Sequence, residues 1–259
     1  MTRPLQLATR AFPGRPVFDT AVSRALLQLV AEGSAPETFR LYVPDDVLAF
    51  SVLDATHASF PAAVQAGRER GFEPVLRLAG GRAAVFHRGS VAFAWSLPAE
   101  DPRVGIRERF DALSSLVVSA LQRLGVDAQV GEVPGEYCPG AHSVNARGRR
   151  KLMGVGQRVI RGAAHVGGVI VVRDAARVRD ALVPVYAALG YEWDPDATGA
   201  VEDEIGAIST HEVAAALVAE LRTRHELVEV EPDVAWIERA GEYEPRHRVT
   251  LEQEPPPGS

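Results

Sequence analysis

Between residues 106 and 124 the apolar side chains Ile106, Phe110, Leu113, Val117, Ala120 and Leu124 recur at helical spacing on one face, and Gly125 stands where a left-handed residue ends such a run. A helix that is apolar on one side only needs a broad apolar surface to lie on, and the flanking segments read as strands. Upstream, residues 75–97 give a strand, a Gly80-Gly81 turn, a strand, a turn at Arg88-Gly89 and a strand ending at Trp95-Ser96-Leu97. Downstream, Val126, Ala128 and Val130 alternate at period two, short strands flank Arg147-Gly148, and residues 169–172 form an apolar run suited to a strand buried on both faces.

The remaining elements fit the same scheme. Val22, Ala25, Leu26, Leu29 and Val30 predict a helix over residues 19–30 capped by Asp19 or Thr20. Phe39, Leu41 and Val43 alternate with Arg40 and Tyr42 as in a half-buried strand, which Pro44-Asp45-Asp46 stops. Residues 62–71 suit a shorter helix, and residues 174–189 a helix that Pro184 kinks or restarts. Ser209 and Glu212 have capping-box spacing ahead of Ala216, Leu217 and Leu221, and residues 227–230 read as a last strand. Helices and strands are mixed without the strict rhythm of a doubly wound sheet. The fold class expected is therefore α/β of the α+β type, a mixed β-sheet with flanking helices. A single domain is expected over residues 1–250, followed by a flexible Pro-rich tail over residues 251–259.

Composition narrows the function. With 259 residues, 46% of them hydrophobic, the chain can bury a sizeable core, and its net charge of -6 argues against a main task of binding phosphate backbones, so no nucleic-acid partner is expected. No apolar run approaches the roughly 20 residues of a spanning helix. The start, Met1-Thr2-Arg3-Pro4, leads into no signal-like segment, so no membrane association and a cytoplasmic location are expected. The one cysteine, Cys138, excludes an internal disulfide or a multi-cysteine metal site. Neither Asp45-Asp46 nor residues 202–204 have calcium-loop spacing, and zinc-type histidine pairs and a Gly-x-Ser-x-Gly elbow are missing, so metal-free chemistry is expected.

Cys138 lies in Gly135-Glu136-Tyr137-Cys138-Pro139-Gly140, an irregular loop rather than an apolar run, and reads either as filler or as a reactive thiol. A neighbouring cation would raise its thiolate fraction. In Arg147-Gly148-Arg149-Arg150-Lys151 the arginines read as a solvated hairpin, whereas Lys151 leads into the apolar strand Leu152-Met153-Gly154-Val155-Gly156-Gln157-Arg158, which can carry its ammonium into a pocket. Gly154 and Gly156 let a ligand or another backbone come close. Arg77-Leu78-Ala79-Gly80-Gly81-Arg82 offers N–H groups and arginines suited to a carboxylate, carbonyl or phosphate, although paired glycines also make ordinary turns. His87 follows at an expected pocket edge, and it reads first as structural, as do His142 and His165.

These stretches resemble the biotin/lipoate protein ligase and transferase family. The likeness runs from Phe18-Asp19-Thr20 through Leu41-Tyr42, then over residues 77–87, similar to an Arg-x-x-Gly-Gly-x-Ala-Val-x-His loop. It is most specific in Tyr137-Cys138-Pro139-Gly140, Ser143-Val144-Asn145, Lys151-Leu152-Met153-Gly154 and Gln157-Arg158. The sequence departs from the pattern at Leu76, where an arginine is frequent, and at His142 and Ser143, where some members have an aspartate.

The resemblance implies that Lys151 contacts the acyl carbonyl and that Cys138 forms an acyl thioester, with Arg77, Gly80, Gly81, Arg82, His87, Ser143, Gly154 and Gln157 binding the substrate. Arg82 replaces the third glycine common in the ligase branch, which favours a transferase. The expected function is transfer of an octanoyl or lipoyl group onto a lysine of a lipoyl carrier domain, such as the glycine cleavage H protein or a 2-oxoacid dehydrogenase acyltransferase subunit, without a cofactor. Acyl carrier protein is a candidate donor, and the arginines at 147–150 a docking patch for an acidic carrier domain. The alternatives are an ATP- and Mg-dependent lipoate-protein ligase that uses Lys151 with Cys138 incidental, and a non-catalytic binder of acylated carriers or small acids. Val85, Phe86, Val155 and Val159 suit a sheet core first and an acyl tunnel second.

Overall fold

The computed structural model describes residues 4–101 and 103–251. Its frame is a mixed sheet of eight strands among the described residues, ordered β11-β1-β2-β6-β10-β9-β8-β7. These are β1 (Leu5–Ala8), β2 (Thr38–Tyr42), β6 (Ser90–Ala99), β7 (Ala128–Val130), β8 (Val144–Ala146), β9 (Arg150–Ile160), β10 (Gly162–Val171) and β11 (Leu227–Glu229). A smaller sheet has the order β4-β3-β5, from β3 (Val47–Phe50), β4 (Glu73–Leu76) and β5 (Ala84–Phe86). The helices are α1 (Pro16–Ala31), α2 (Val52–Ala55), α3 (Phe60–Glu69), α4 (Ile106–Arg123), α5 (Ala175–Leu189), α6 (Glu202–Ile205), α7 (Thr210–Arg224) and α8 (Val234–His247).

Period two decides which face each strand residue serves. Phe39, Leu41, Phe93, Val166 and Ile170 share one core with Leu113, Val117 and Leu121 of α4 and Val213 and Leu217 of α7. The opposite face carries α1, itself backed by Trp236 and Ala240 of α8. A separate core joins the small sheet to α3 and α5 through Leu48, Phe50, Val64, Val178, Leu182 and Tyr186. The helix expected over 106–124, with its glycine stop, stands as α4 with Gly125 at φ +94°. The Ser209–Glu212 capping box closes in both directions at the start of α7.

Several expectations need correction. The first helix begins at Pro16, because proline's fixed φ suits the first turn, and Asp19 is not its cap. Asp19 is buried inside that turn and pairs with Arg40 at 2.7 Å. Strand β2 is therefore not half-buried: Arg40 is 0% exposed, and the α1 side accommodates it by supplying a carboxylate. The strands on either side of Gly80-Gly81 do not pair with each other. Both pair with β3, parallel to β4 and antiparallel to β5, so the glycines lie in a loop that crosses above a third strand. That strand, β1 and α8 are elements beyond those expected. Pro184 lies within an unbroken α5. Residues 252–259 of the expected tail lie outside the described residues.

Burial pushes the Asp19 carboxyl above its ordinary range, partly against the pull of Arg40. Replacing Asp19 with alanine leaves the Arg40 guanidinium uncompensated in the interior. Asp19→Ala should lower the unfolding free energy by about 3–5 kcal/mol. Urea denaturation checks this; an unchanged midpoint would show that the pair does not compensate a buried charge.

Candidate active site

The loop between β7 and β8 holds Cys138 in the left-handed region, φ +44°, which non-glycine residues rarely adopt. Its neighbours fix that conformation from both sides. The Cys138 N–H donates to Tyr186 Oη at 2.9 Å, and that hydroxyl donates on to the Ala83 carbonyl at 2.9 Å. The Cys138 carbonyl accepts from Lys151 Nζ at 2.8 Å. Strain of this kind persists only where the surroundings over-determine it.

Two segments converge on the sulfur. The Arg82 N–H donates to Sγ at 3.2 Å, and Arg77 Nη2 lies 3.6 Å from it. Arg77 also clamps its own loop, with Nη2 2.7 Å from both the Gly80 and the Arg82 carbonyl oxygens. Gly81 is required here. At φ +95° it adopts a glycine conformation, and a Cβ on it would stand 2.8 Å from both Sγ and Arg77 Nη2. Burial pushes the Cys138 thiol up, but the charges of Arg77 and Lys151, helped by the hydrogen bonds from Arg77 and Arg82, bring it net below its ordinary value. A half-buried cysteine with a stabilised thiolate has the chemistry that a nucleophile needs.

Lys151, 1% exposed on β9, donates to Glu136 Oε1 at 2.9 Å, the Tyr137 carbonyl at 2.9 Å and the Cys138 carbonyl at 2.8 Å. An ammonium has three protons, so all are engaged. In this geometry Lys151 braces the backbone of Cys138, and contact with any further acceptor requires it to exchange one of these bonds. Glu136, 2% exposed, was not among the residues singled out in the sequence, yet it anchors the loop. Oε1 also accepts from Ser143 Oγ at 2.6 Å and the Gly140 N–H at 3.2 Å, and Oε2 accepts from the Val133 N–H at 2.9 Å. The available signal was indirect: a lysine in an apolar strand needs a buried counter-ion.

Beside the sulfur opens a cavity of about 440 Å³ between the large sheet and the loops around the small one. Its floor is a row in which Ala94, Gly167 and Gly156 pair across β6, β10 and β9. Small residues in register leave a trough, and Ala79 descends over it so closely that a Cβ on Gly156 would stand 2.7 Å from the Ala79 Cβ. Arg77, Gly80, Gly81, Cys138, Ser143, Lys151, Gly154 and Gln157 all line the cavity. Gln157 is held there by Arg109, whose Nε donates to Oε1 at 2.7 Å.

Not every candidate converges. Arg82 contributes its backbone, while its guanidinium lies 4.7 Å over the Tyr191 ring. His87 does not line this cavity; it is buried beside a separate polar cleft, and its Nδ1 accepts from the Gly89 N–H at 3.1 Å. Phe86 and Val155 line the cavity, whereas Val85 packs in the core behind it. In the basic hairpin, Arg147 and Arg150 lie 3.5 and 3.9 Å from Glu204 and Asp203, so part of the expected docking charge is neutralised within the chain.

Two tests address this arrangement. The rate of Cys138 alkylation by iodoacetamide should reach half its plateau below the ordinary thiol pKa of about 8.5, and Arg77→Met should move the midpoint upward by removing the nearest positive charge. A midpoint unchanged by Arg77→Met would deny the guanidinium its role. Glu136→Ala strands a buried ammonium and should cost about 3–5 kcal/mol of stability in chemical denaturation, with loss well under 1 kcal/mol counting against the bracing role.

Residues 15–222 match the lipoyl protein ligase A/B catalytic domain. An octanoyl-GcvH:protein N-octanoyltransferase from Geobacillus kaustophilus is 26% identical over 179 residues, covering 68% of this chain and 63% of that protein. A lipoyl-GcvH:protein N-lipoyltransferase from Listeria monocytogenes is 24% identical over 147 residues, covering 55% and 52%. The chain thus spans less than two thirds of the length of these relatives. Among solved structures, an ATP-bound lipoate-protein ligase A aligns with a TM-score of 0.76 at 19% identity, covering 94% of this chain and 95% of that one. A bi-partite lipoate protein ligase from Thermoplasma acidophilum aligns with a TM-score of 0.74 at 19% identity, covering 95% and 93%. These two likenesses establish the shared fold. Since the matched segment contains the cysteine loop, its lysine brace and the glycine-floored cavity, the chain belongs to the lipoyl protein ligase A/B catalytic-domain family.

Proposed function

We propose that the protein is an acyltransferase that carries an octanoyl or lipoyl group on Cys138 and delivers it to a lysine of a lipoyl carrier domain. The observation that carries this reading is the Cys138 sulfur itself, set at the cavity with a backbone N–H and a guanidinium directed at it and its thiol lowered. In the first half-reaction the Cys138 thiolate attacks the acyl carbonyl carbon. The bond to the donor's leaving group breaks, and that group departs with a proton from solvent or from the donor site. In the second, the neutral amine of the acceptor lysine attacks the thioester carbonyl, the carbon–sulfur bond breaks, and Cys138 leaves as thiolate while the nitrogen loses its proton. The Arg82 N–H is the backbone donor nearest the sulfur and so the one placed to receive the oxyanion of each tetrahedral intermediate, while the Arg77 guanidinium, whose Nη2 protons serve the Gly80 and Arg82 carbonyls, adds positive charge beside it.

The names of the relatives point to GcvH as an acyl source, and the archaeal ligase was studied with its E2 lipoyl domain; both support a lipoyl-type carrier as partner here. With a thioester donor the overall transfer is downhill, and with an acyl-lysine donor an amide is exchanged for an amide at little net change, the thioester being the high-energy intermediate, so neither scheme consumes ATP.

Intact mass spectrometry tests the reading. Wild type and Cys138→Ser are incubated without ATP with octanoyl-loaded glycine cleavage H protein or octanoyl-acyl carrier protein. The expected result is one hydroxylamine-labile octanoyl adduct on wild type alone. Absence of the adduct with both donors, combined with acceptor modification that requires free lipoate and ATP and survives in Cys138→Ser, would replace the transferase with the ligase.

A further inference from the structure

The Arg82 N–H that meets the Cys138 sulfur stands directly after Gly80-Gly81, a stretch with little stiffness of its own, since glycines leave the backbone many conformations. A donor of this kind helps a reaction only if it is already in place when charge develops. What fixes it lies partly outside the loop. At the loop's start the Arg77 N–H donates to the Phe50 carbonyl at the end of β3, at 2.9 Å. At its other end Arg77 Nη2 donates to the Arg82 carbonyl, and the Arg82 guanidinium lies 4.7 Å over the Tyr191 ring, within cation–π range.

Tyr191 is held in turn at both of its ends. Its N–H donates to the Tyr186 carbonyl at 2.9 Å, just past Gly190, which ends α5 at φ +68°. Its hydroxyl donates to Asp54 Oδ1 at 2.8 Å. Asp54 is fully buried, and its Oδ2 accepts from the Ser51 N–H at 2.8 Å and the Ser51 hydroxyl at 3.0 Å, in the capping box that opens α2. Burial first, and then the bond to Asp54, push the Tyr191 phenol up to about 12, so the hydroxyl remains a donor. The ring's other aromatic neighbours are Tyr186 at 5.3 Å and His57 at 6.4 Å. Tyr186 is the residue whose hydroxyl joins the Cys138 N–H to the Ala83 carbonyl. The end of α5 thus holds the Cys138 backbone through one tyrosine and the side chain of Arg82 through a second.

We propose that Tyr191, anchored on Asp54, is a positioning residue that grips the Arg82 guanidinium and thereby holds the Arg82 N–H at the Cys138 sulfur. Its value for acyl transfer rests on the reading of Cys138 as the site of that transfer; its effect on the thiol does not.

The pH profile of Cys138 alkylation by iodoacetamide tests this without substrate, for wild type, Arg82→Met, Tyr191→Leu, Tyr191→Phe and the double variant of Arg82→Met with Tyr191→Leu. Arg82→Met changes a half-buried side chain and leaves the backbone N–H in the chain, so it is the variant that should fold as wild type does. Arg82→Met and Tyr191→Leu should each raise the alkylation midpoint by about half a pH unit, because the thiolate loses a hydrogen bond. The double variant should shift no further than the larger single one, since both changes cut the same link. Tyr191→Phe, which keeps the ring but not the bond to Asp54, should shift it less than Tyr191→Leu. A tyrosine that serves only the fold would lower the thermal midpoint and leave the alkylation midpoint where it is. With octanoyl-loaded glycine cleavage H protein as donor, Arg82→Met and Tyr191→Leu should lower the kcat of transfer about tenfold and move KM less than about twofold. An alkylation midpoint unmoved in Arg82→Met, or shifts that sum in the double variant, overturns the inference. Coupled shifts in a protein that forms no acyl adduct on Cys138 would sink acyl transfer and leave this inference standing, whereas acylation of Cys138 with an alkylation midpoint unmoved by either single variant overturns this inference alone.

Discussion

A buried ion pair, Lys151 with Glu136, organises the reactive half of the molecule. Neither charge is stable in the interior by itself, and each is satisfied by bonds beyond the pair: the lysine holds the carbonyls of Tyr137 and Cys138, the glutamate the hydroxyl of Ser143 and the N–H groups of Val133 and Gly140. Such a pair adds little net stability compared with apolar packing, but it specifies one arrangement of an otherwise irregular loop. The left-handed backbone of Cys138 follows from it, and with that backbone the direction of the sulfur. Because the lysine sits on a long strand of the large sheet, the position of Cys138 is referenced to that sheet rather than to its own loop alone.

The cavity arises from what the sheet lacks. Where Ala94, Gly167 and Gly156 stand in register, three neighbouring strands present almost no side chain, and the covering layer comes down at Ala79 over Gly156 but leaves the rest of the trough open. Close packing elsewhere makes such a gap costly unless it holds something. On the β2 side the same face is closed by Arg40 and Asp19, whose mutual neutralisation lets a charged side chain occupy a buried strand position. An apolar trough bounded by polar ends is the shape that an acyl group with a reactive carbonyl at one end calls for.

Local signals in the sequence were the ones that could be read. The capping box at Ser209 and Glu212, the stop at Gly125 and the helix face from Ile106 to Leu124 each depend on residues within a few turns of one another. The cysteine, the lysine and the glycine-bearing strand were legible because residue type alone limits what they can do. What stayed hidden depends on distant partners. Strand β3 is a four-residue apolar run directly after an acidic stop, and it counts as a strand only because residues 73–76 and 84–86 arrive on either side. Glu136 cannot be told from Glu132 until the loop folds back on Lys151. Gly241 and Pro245 disguise α8, which forms by packing on α1. His87 misled for the opposite reason: it follows β5 closely, but the chain there has already turned away from the cavity.

The pairing of β1 has a consequence for the order in which the molecule can be made. This strand begins the described chain, yet it is hydrogen-bonded on one side to residues 38–40 and on the other, in parallel, to residues 227–229. The sheet edge therefore stays open while nearly all of the intervening chain is synthesised, and α8, which backs the helix carrying Asp19, arrives later still. Contacts of such sequence separation form slowly, because the entropy of closing a very long loop must be met before the contacts return anything. During translation the cysteine loop and its lysine have emerged and can pair before β11 closes the edge beside β1 and before α8 covers the outer side of α1, so a nascent chain passes through a stage in which that loop is held while the edge of the sheet is still open.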